Sequence, residues 1–364
     1  MEKIKICHLT SAHNSLDDRI FEKECCSLAN LYDTYIIAPG NSFQKEHVNI
    51  MGIGERPKSR IKRFFSTSHK VYKAALKLDA QLYHIHDPEL LLYARKLKKL
   101  GKIVIYDSHE DVPRQILAKE WIPRLIRKMV SVIYEYFEKR TAQKIDYIVT
   151  ATPHIRDVFL KYTKNVCEIC NFPIDSSFDI DISKRKYSEK QQQICYAGSL
   201  TKIRGLNMMV EAVEKTDCHL KLAGSIDDSW KERIKEFDKV EYIGYLTRDE
   251  VNKLYEESNI GIMIPEPRPN HINSYAIKLF EYMGAELPII CSNFPLWKEM
   301  IEESGCGICV DPLNEKEVIS AIQYLSEHPE IEKEMGRKGK KLVSEKYNWN
   351  NEFKKLSMVY QNII

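Results

Sequence analysis

No apolar run in this 364-residue chain approaches the roughly 20 residues that a membrane-spanning helix needs. No leader is expected at the N-terminus either. Met1-Glu-Lys-Ile-Lys-Ile-Cys-His8 passes straight into an alternating strand, so no signal peptide is expected, and the cytoplasm is the expected compartment. No repeat or low-complexity tract stands out, and no motif of a nucleic-acid-binding module occurs, so nucleic acid is not expected as a partner. No Asp-x-Asp pair with strand context offers a metal clamp. The adjacent pairs Asp17-Asp18 and Asp227-Asp228 each precede a loop or helix start, where capping or solvation explains them. Ten cysteines suit a reduced compartment as mostly buried thiols. Cys167/Cys170 and Cys306/Cys309 mimic a zinc site by spacing. Both pairs lie in strand-like runs, where positions i and i+3 face opposite sides, so core packing is the preferred reading.

What is present is ordinary for a globular protein: 43% hydrophobic and 29% charged residues, in a chain long enough for two domains. Short apolar strands alternate with amphipathic helices, the pattern of a parallel, doubly wound α/β sheet. Expected strands are 4–9, 34–38, 81–86, 102–107 and 147–151, with helices over 21–30, 88–100 and roughly 114–142. The pattern restarts with strands at 193–198, 219–224, 240–244, 260–264 and 288–292, and helices at 205–215, 248–257 and 350–364. The polar stretch Asp175–Gln193 is the expected linker. Two nucleotide-fold halves imply a cleft between them, where ligands of such sheets bind. Charge divides unevenly: residues 1–170 hold 29 Lys/Arg against 20 Asp/Glu, whereas 171–364 hold 26 against 32. The first half therefore suits an anionic surface better than the second.

The most telling segment is Ser274-Tyr-Ala-Ile-Lys-Leu-Phe-Glu-Tyr-Met-Gly-Ala-Glu-Leu-Pro-Ile-Ile-Cys-Ser292: a loop, a helix, a proline and a buried strand. A phosphate needs backbone N–H groups at a helix start. A ribose needs a carboxylate about two turns further on, and Glu281 supplies one. Upstream, Gly198-Ser-Leu-Thr-Lys-Ile-Arg-Gly205 joins a strand to a helix; Gly198 permits close backbone approach, and Lys202 and Arg204 place cations for a diphosphate. These motifs resemble the nucleotide-binding signature of glycosyltransferase family 4, strongest at 194–206 and 273–292. The resemblance implies a GT-B fold, two Rossmann-like domains with a cleft between them. It implies an acceptor-binding domain over 1–172, a nucleotide-sugar domain over 173–349 and a terminal helix over 350–364 that crosses back to the first domain. It also implies retaining transfer from a nucleotide-diphosphate sugar, without a metal or other cofactor. By this likeness Tyr275, Ala276 and Ile277 offer N–H groups to the distal phosphate, Lys278 adds a cation and Glu281 binds the ribose. Asn273 stands where the family usually has a glutamate that touches the donor sugar, and Ser199 replaces the family's first basic residue.

Asp107-Ser-His-Glu-Asp-Val-Pro113 ends a strand of the first half. Catalytic side chains gather at such carboxyl edges, and the resemblance assigns His109 to the sugar side of the reaction. The loop Thr10–Glu24 and the run His86-Asp-Pro-Glu89 look like an envelope-polysaccharide subgroup; His13, Asp18 and Arg19 are expected at the cleft floor or acceptor, whereas capping or strand-end satisfaction explains Asp87 and His86 at least as well. Cations alternate with apolar residues in Arg56–Phe65 and again in 114–140, where Trp121, Leu125, Ile126, Met129, Val132, Ile133 and Phe137 accompany Arg124, Arg127 and Lys128. Two readings stay open: an interfacial helix on anionic lipid, at the inner face of the cytoplasmic membrane, or a helix with most of its apolar residues turned onto its own sheet. The first would suit a lipid-linked glycan acceptor. Rival functions are a nucleotide-sugar 2-epimerase of the same fold and a non-catalytic sugar-nucleotide-binding partner.

Overall fold

The computed structural model describes residues 3–55, 59, 63–119, 121–174, 180–185 and 192–364, so most of the expected linker and of the basic run at 56–65 lies outside the described residues. The chain forms two compact units, Met1–Asn171 with Trp349–Ile364, and Phe172–Asn348.

The first unit is built on strands β1 (Lys5–Leu9), β2 (Asp33–Ala38), β3 (Phe43–Lys45), β4 (Val48–Gly52), β5 (Leu82–Ile85), β6 (Ile103–Ser108), β7 (Tyr147–Thr150) and β8 (Val166–Glu168). They lie in the order β3-β4-β2-β1-β5-β6-β7-β8, parallel throughout except for the β3–β4 pair. Helices α1 (Asp18–Cys25), α2 (Ser68–Leu78), α3 (Leu91–Lys99), α4 (Val112–Ala118), α5 (Arg124–Ala142) and α6 (Pro153–Leu160) connect them. The central strands read as near-continuous apolar runs because helices cover both faces. Tyr83, Val104, Tyr106, Ile148 and Phe159 share one buried cluster.

Among the departures from the sequence expectation, two have a plain physical cause. The single helix over 114–142 is two helices, because Pro123 has no N–H to continue a helix and its φ, ψ of −54°, 132° begin a new one. The β3–β4 hairpin turns on Glu46 and His47, both at positive φ. β3 is exposed along its length and carries no apolar pattern to reveal it.

The second unit holds β9 (Gln193–Ala197), β10 (His219–Ala223), β11 (Val240–Tyr242), β12 (Ile260–Met263), β13 (Ile289–Ser292) and β14 (Gly307–Val310), all parallel, in the order β11-β10-β9-β12-β13-β14. Its helices are α7 (Leu206–Glu214), α8 (Asp228–Ile234), α9 (Arg248–Glu257), α10 (Pro269–Ile272), α11 (Ile277–Gly284), α12 (Pro295–Ile301), α13 (Glu315–Glu327) and α14 (Pro329–Glu345). The closing helix α15 (Trp349–Ile363) packs in the first unit. There Trp349 Nε1 donates to Ser27 Oγ at 2.9 Å, and Glu352 Oε2 accepts the Cys170 N–H at 2.7 Å.

In each sheet the order in which successive strands are added reverses once, between β1 and β5 and between β9 and β12. Open parallel sheets bind ligands outside the carboxyl ends of the strands at such reversals. The loops after β1, β5 and β6, and those after β9 and β12, occupy these positions.

Candidate functional site

In the second unit, the loop after β9 is shaped by close backbone packing. Gly198 N–H donates to Ala223 O at 2.8 Å and Leu200 N–H to Ser225 O at 2.8 Å, which lays 198–200 beside 223–225. Gly224, at φ +123°, packs so tightly that a Cβ would collide with Gly198 O. Beside these two loops is a cavity of about 290 Å³, lined by Gly198, Ser199, Gly224, Ser225, Tyr245 and Lys278 among others. Lys202 is exposed and Arg204 half-buried on the short turn Lys202–Arg204, which Gly205 closes at φ +84°.

Glu281 lies one turn behind Lys278 on α11 and is buried. Its Oε1 accepts from Arg248 Nη1 at 2.8 Å, and its Oε2 from Tyr255 OH at 2.8 Å and Lys278 Nζ at 2.6 Å. Burial raises its pKa, but the charges of Lys278 and Arg248 outweigh burial and hold it below the usual value. It is therefore a charged acceptor. A ligand hydroxyl would share it with three donors.

At the entry to α11, Ala276 is the N-cap and supplies no side-chain cap. Ser274 O is held at 2.7 Å by Trp297 Nε1, and the Tyr275 ring packs among Phe172, Phe280 and Tyr347. The loop is thus fixed from its apolar side, while Asn273 and Ile277 are exposed. Of the donor residues expected from sequence, Gly198 and Lys278 line the cavity and Glu281 joins Lys278; Lys202, Arg204, Asn273, Tyr275, Ala276 and Ile277 are not among its lining residues. Arg248 and Tyr255 were not foreseen. Their spacing from Glu281 gives no sequence signal.

In the first unit, Asp107 ends β6 fully buried. Its Oδ1 and Oδ2 each accept from Arg19, from Nη2 and Nε at 2.9 Å, and Oδ2 lies 3.0 Å from His109 Nε2. Burial favours protonation, but Arg19 and His109 keep the Asp107 carboxyl well below the usual range. His109 keeps 21% of its side chain exposed. Arg19, expected at the cleft floor or acceptor, is 4% exposed and braces the strand end through Asp107. Asp18 is exposed in the first turn of α1, whose cap is Asp17, accepting from Arg19 N and Ile20 N.

His13 is half-buried, its Nδ1 3.1 Å from Asp87 Oδ1, and its ring stands 5.3 Å from that of His109. Burial opposes its protonation; the Asp87 hydrogen bond and charge prevail and raise its pKa. Asp87 Oδ2 accepts from Thr10 Oγ1, Ser11 N and Ala12 N at 2.8, 2.6 and 3.0 Å, which clamps the β1 loop onto the end of β5. The β1, β5 and β6 loops therefore bring His13, Asp87, Asp107 and His109 together. Asp111 caps α4 by accepting from Arg114 N, and Asp227 caps α8 by accepting from Trp230 N. All ten cysteines are free, and among the described residues none joins a candidate metal group.

Residues 25–172 match the model of Glycosyltransferase Family 4, and residues 177–342 that of Glycosyl transferases group 1. Between them these stretches take in most of the chain. In sequence the chain is 24% identical over 227 residues to an uncharacterised glycosyltransferase of Methanocaldococcus jannaschii, covering 54% of this chain and 57% of that protein's length. In structure it is similar to sucrose-phosphate synthase from Thermosynechococcus elongatus, with a TM-score of 0.79, 15% identity and 99% of both chains covered. It is also similar to HepE of Anabaena in complex with UDP and glucose, with a TM-score of 0.73, 11% identity and coverage of 99% of this chain and 100% of that one. The chain belongs to the family 4-type glycosyltransferases and is built on their GT-B fold.

Proposed function

We propose that this glycosyltransferase retains anomeric configuration and takes its sugar from a nucleotide-diphosphate donor held by the second unit. The observation that carries this reading is the grouping of Gly198, Gly224 and Lys278 around one cavity, with the ionised Glu281 bonded to Lys278. A diphosphate would meet backbone at the two glycines and the cation of Lys278. Lys202, Arg204 and the uncapped start of α11, with the backbone of Tyr275, Ala276 and Ile277, would add positive potential. Glu281 would accept from the ribose hydroxyls, and Asn273 would face the sugar. The leaving diphosphate would then be neutralised by protein groups alone, without a metal at the phosphates. It would assist attack from its own side of the sugar, so no protein nucleophile is needed. His109, oriented by Asp107, is assigned to the reacting sugar, and His13 and Asp18 to the acceptor side, with Arg19 acting through Asp107.

The acceptor proposed is a lipid-linked glycan of the cell envelope, reached at an anionic membrane surface. Among the described residues no helix is long and apolar enough to cross a membrane. α5 supports surface docking instead. Its inward positions include Ser131, Glu138 and Thr141, while Leu125, Met129, Val132, Ile133 and Tyr136 are exposed, Leu125 by 97%. This reverses the packing expected of a helix whose apolar residues turn onto the sheet, and an exposed apolar stripe flanked by Arg124 and Lys128 suits a lipid headgroup region. The 2-epimerase reading would need acid–base carboxylates, and no carboxylate is among the residues lining the cavity.

A panel of nucleotide-sugars, each with and without EDTA, tests the proposal by thermal shift and nucleotide release. One donor should raise the melting temperature in both conditions and slowly release its nucleoside diphosphate. A shift that needs added divalent metal overturns the metal-free diphosphate site. A shift without nucleotide release favours the non-catalytic partner, and silence with every nucleotide-sugar overturns the donor site.

A further inference from the structure

Below the β1 and β5 loops, the first unit encloses a group of side chains that the transfer reaction does not use. His8 on β1 and His84 on β5 are register partners. His86 lies two residues beyond His84, on the same side of the strand. Glu24, from the wide π-type turns of α1, completes the group. His8, Glu24 and His84 are fully buried and His86 is 2% exposed.

The separations are short. His8 Nδ1 stands 2.9 Å from His86 Nε2 and 3.6 Å from Glu24 Oε2. Glu24 Oε2 is 3.8 Å from both His84 Nδ1 and His86 Nε2. One ligand atom from each of the four residues lies within 4.8 Å of all the others. Ligands about 2.0–2.1 Å from a tetrahedral ion sit roughly 3.3 Å apart, so these separations need only small adjustments.

Glu24 supplies an independent observation. Both of its carboxylate oxygens are buried and accept no hydrogen bond, an arrangement that costs free energy unless the group takes up a proton or a cation compensates it. Arg19 Nε is 3.2 Å from Glu24 Oε1 but donates to Asp107 instead, so one guanidinium faces two carboxylates. Two of the three imidazoles have outer partners like those of metal-bound histidines, whereas His84 Nδ1 itself lies 2.9 Å from the Tyr360 phenol oxygen, which an ion would displace. His86 Nδ1 lies 3.4 Å from Asp107 Oδ2, and His8 Nε2 lies 3.3 Å from the phenol oxygen of Tyr360 on α15.

We propose that His8, Glu24, His84 and His86 form a closed, four-coordinate site for a divalent transition-metal ion. Three imidazoles and one carboxylate in a tetrahedral arrangement suit zinc best. With no open position, the ion is structural. It ties β1, α1 and β5 together and fixes, through His86 and Asp107, the strand end that orients His109. The inference is independent of the donor reading, whose residues belong to the second unit.

The full chain, unfolded with chelator and refolded with one equivalent of zinc, tests it in the absence of any sugar nucleotide. After gel filtration the wild type should retain about one zinc per chain and melt about 5 °C or more above the metal-free protein. Cobalt in place of zinc should give the intense visible bands of tetrahedral coordination. Glu24→Gln, which keeps shape but removes the charge, should lower zinc affinity by about 100-fold or more; His84→Asn serves if that variant does not fold. No retained zinc, an unshifted melting temperature, weak octahedral cobalt bands, or equal zinc retention by the folded variant each overturns the site.

Discussion

A histidine in a loop can swing through many rotamers, and Asp107 removes that freedom from His109. The carboxylate is 3.0 Å from His109 Nε2 and is itself pinned by two hydrogen bonds from Arg19. Substitution at Asp107 would break a buried bidentate pair, at a cost of about 3–5 kcal/mol, and would confuse lost folding with lost chemistry. His109→Ala separates them, because His109 is partly exposed and its other contacts among the described residues are only a long 3.4 Å approach to His86 Nδ1 and the nearby rings of His13 and His86. Transfer should fall roughly 100-fold or more, while the thermal shift given by the nucleoside diphosphate stays at its wild-type value. Wild-type turnover by this variant would remove His109 from the mechanism. The His109 loop could be read from sequence because it follows a clear strand, and Lys278 and Glu281 because they share one helix turn. The loop that carries Arg19 is legible, but its buried pairing with Asp107 is not, since it depends on a carboxylate 88 residues away. Arg248, Tyr255 and the cluster of His8, Glu24, His84 and His86 were illegible for the same reason. Register and helix crossing bring them together, and no local spacing records either.

At the scale of elements, strands with continuous apolar runs such as Ile103–Ser108 and helices with clear periodicity such as Arg248–Glu257 were legible. The exposed β3 strand was not, and the break between α4 and α5 was marked only by Pro123. α5 shows why periodicity alone misleads. Its apolar stripe has helical spacing, but spacing does not say which side the stripe faces, and Leu125, Met129, Val132 and Ile133 face outward. Burying one such side chain in a lipid interface contributes about 1.5–3 kcal/mol, and each nearby cation about 1 kcal/mol at an anionic surface. Replacing Leu125 and Ile133 together with Asp should therefore reduce co-sedimentation with phosphatidylglycerol vesicles by about tenfold or more. The melting temperature should hold, because neither side chain is buried. Equal sedimentation of wild type and variant, or no sedimentation of either, would sink the docking assignment.

For the whole molecule, the inward side of α5 makes stability depend on pH. Glu138 is buried, its Oε1 lacks a hydrogen-bond partner, and it interacts with the charges of Asp111, Glu135 and Arg114 and with the Tyr106 and Tyr134 phenols. Burial first, then Asp111 and Glu135, push its pKa from 4.5 up to about 8, against the smaller opposing effect of Arg114. Between those two values the folded chain holds a proton that the unfolded chain has released. Stability therefore falls as pH rises through that window and levels off above it. Each pKa unit corresponds to about 1.4 kcal/mol, so the loss is large enough to read in a melting curve. Glu138→Gln keeps the shape and stays neutral, and so escapes the loss. At pH 5 the variant and wild type should melt together; at pH 8.5 the variant should melt about 5 °C or more higher. Other titrating groups act on both proteins alike, so the difference between the two curves isolates position 138. Curves that stay parallel from pH 5 to pH 8.5 would mean that Glu138 is ionised and compensated in the folded chain, with a cation or water reaching it from the α5 side.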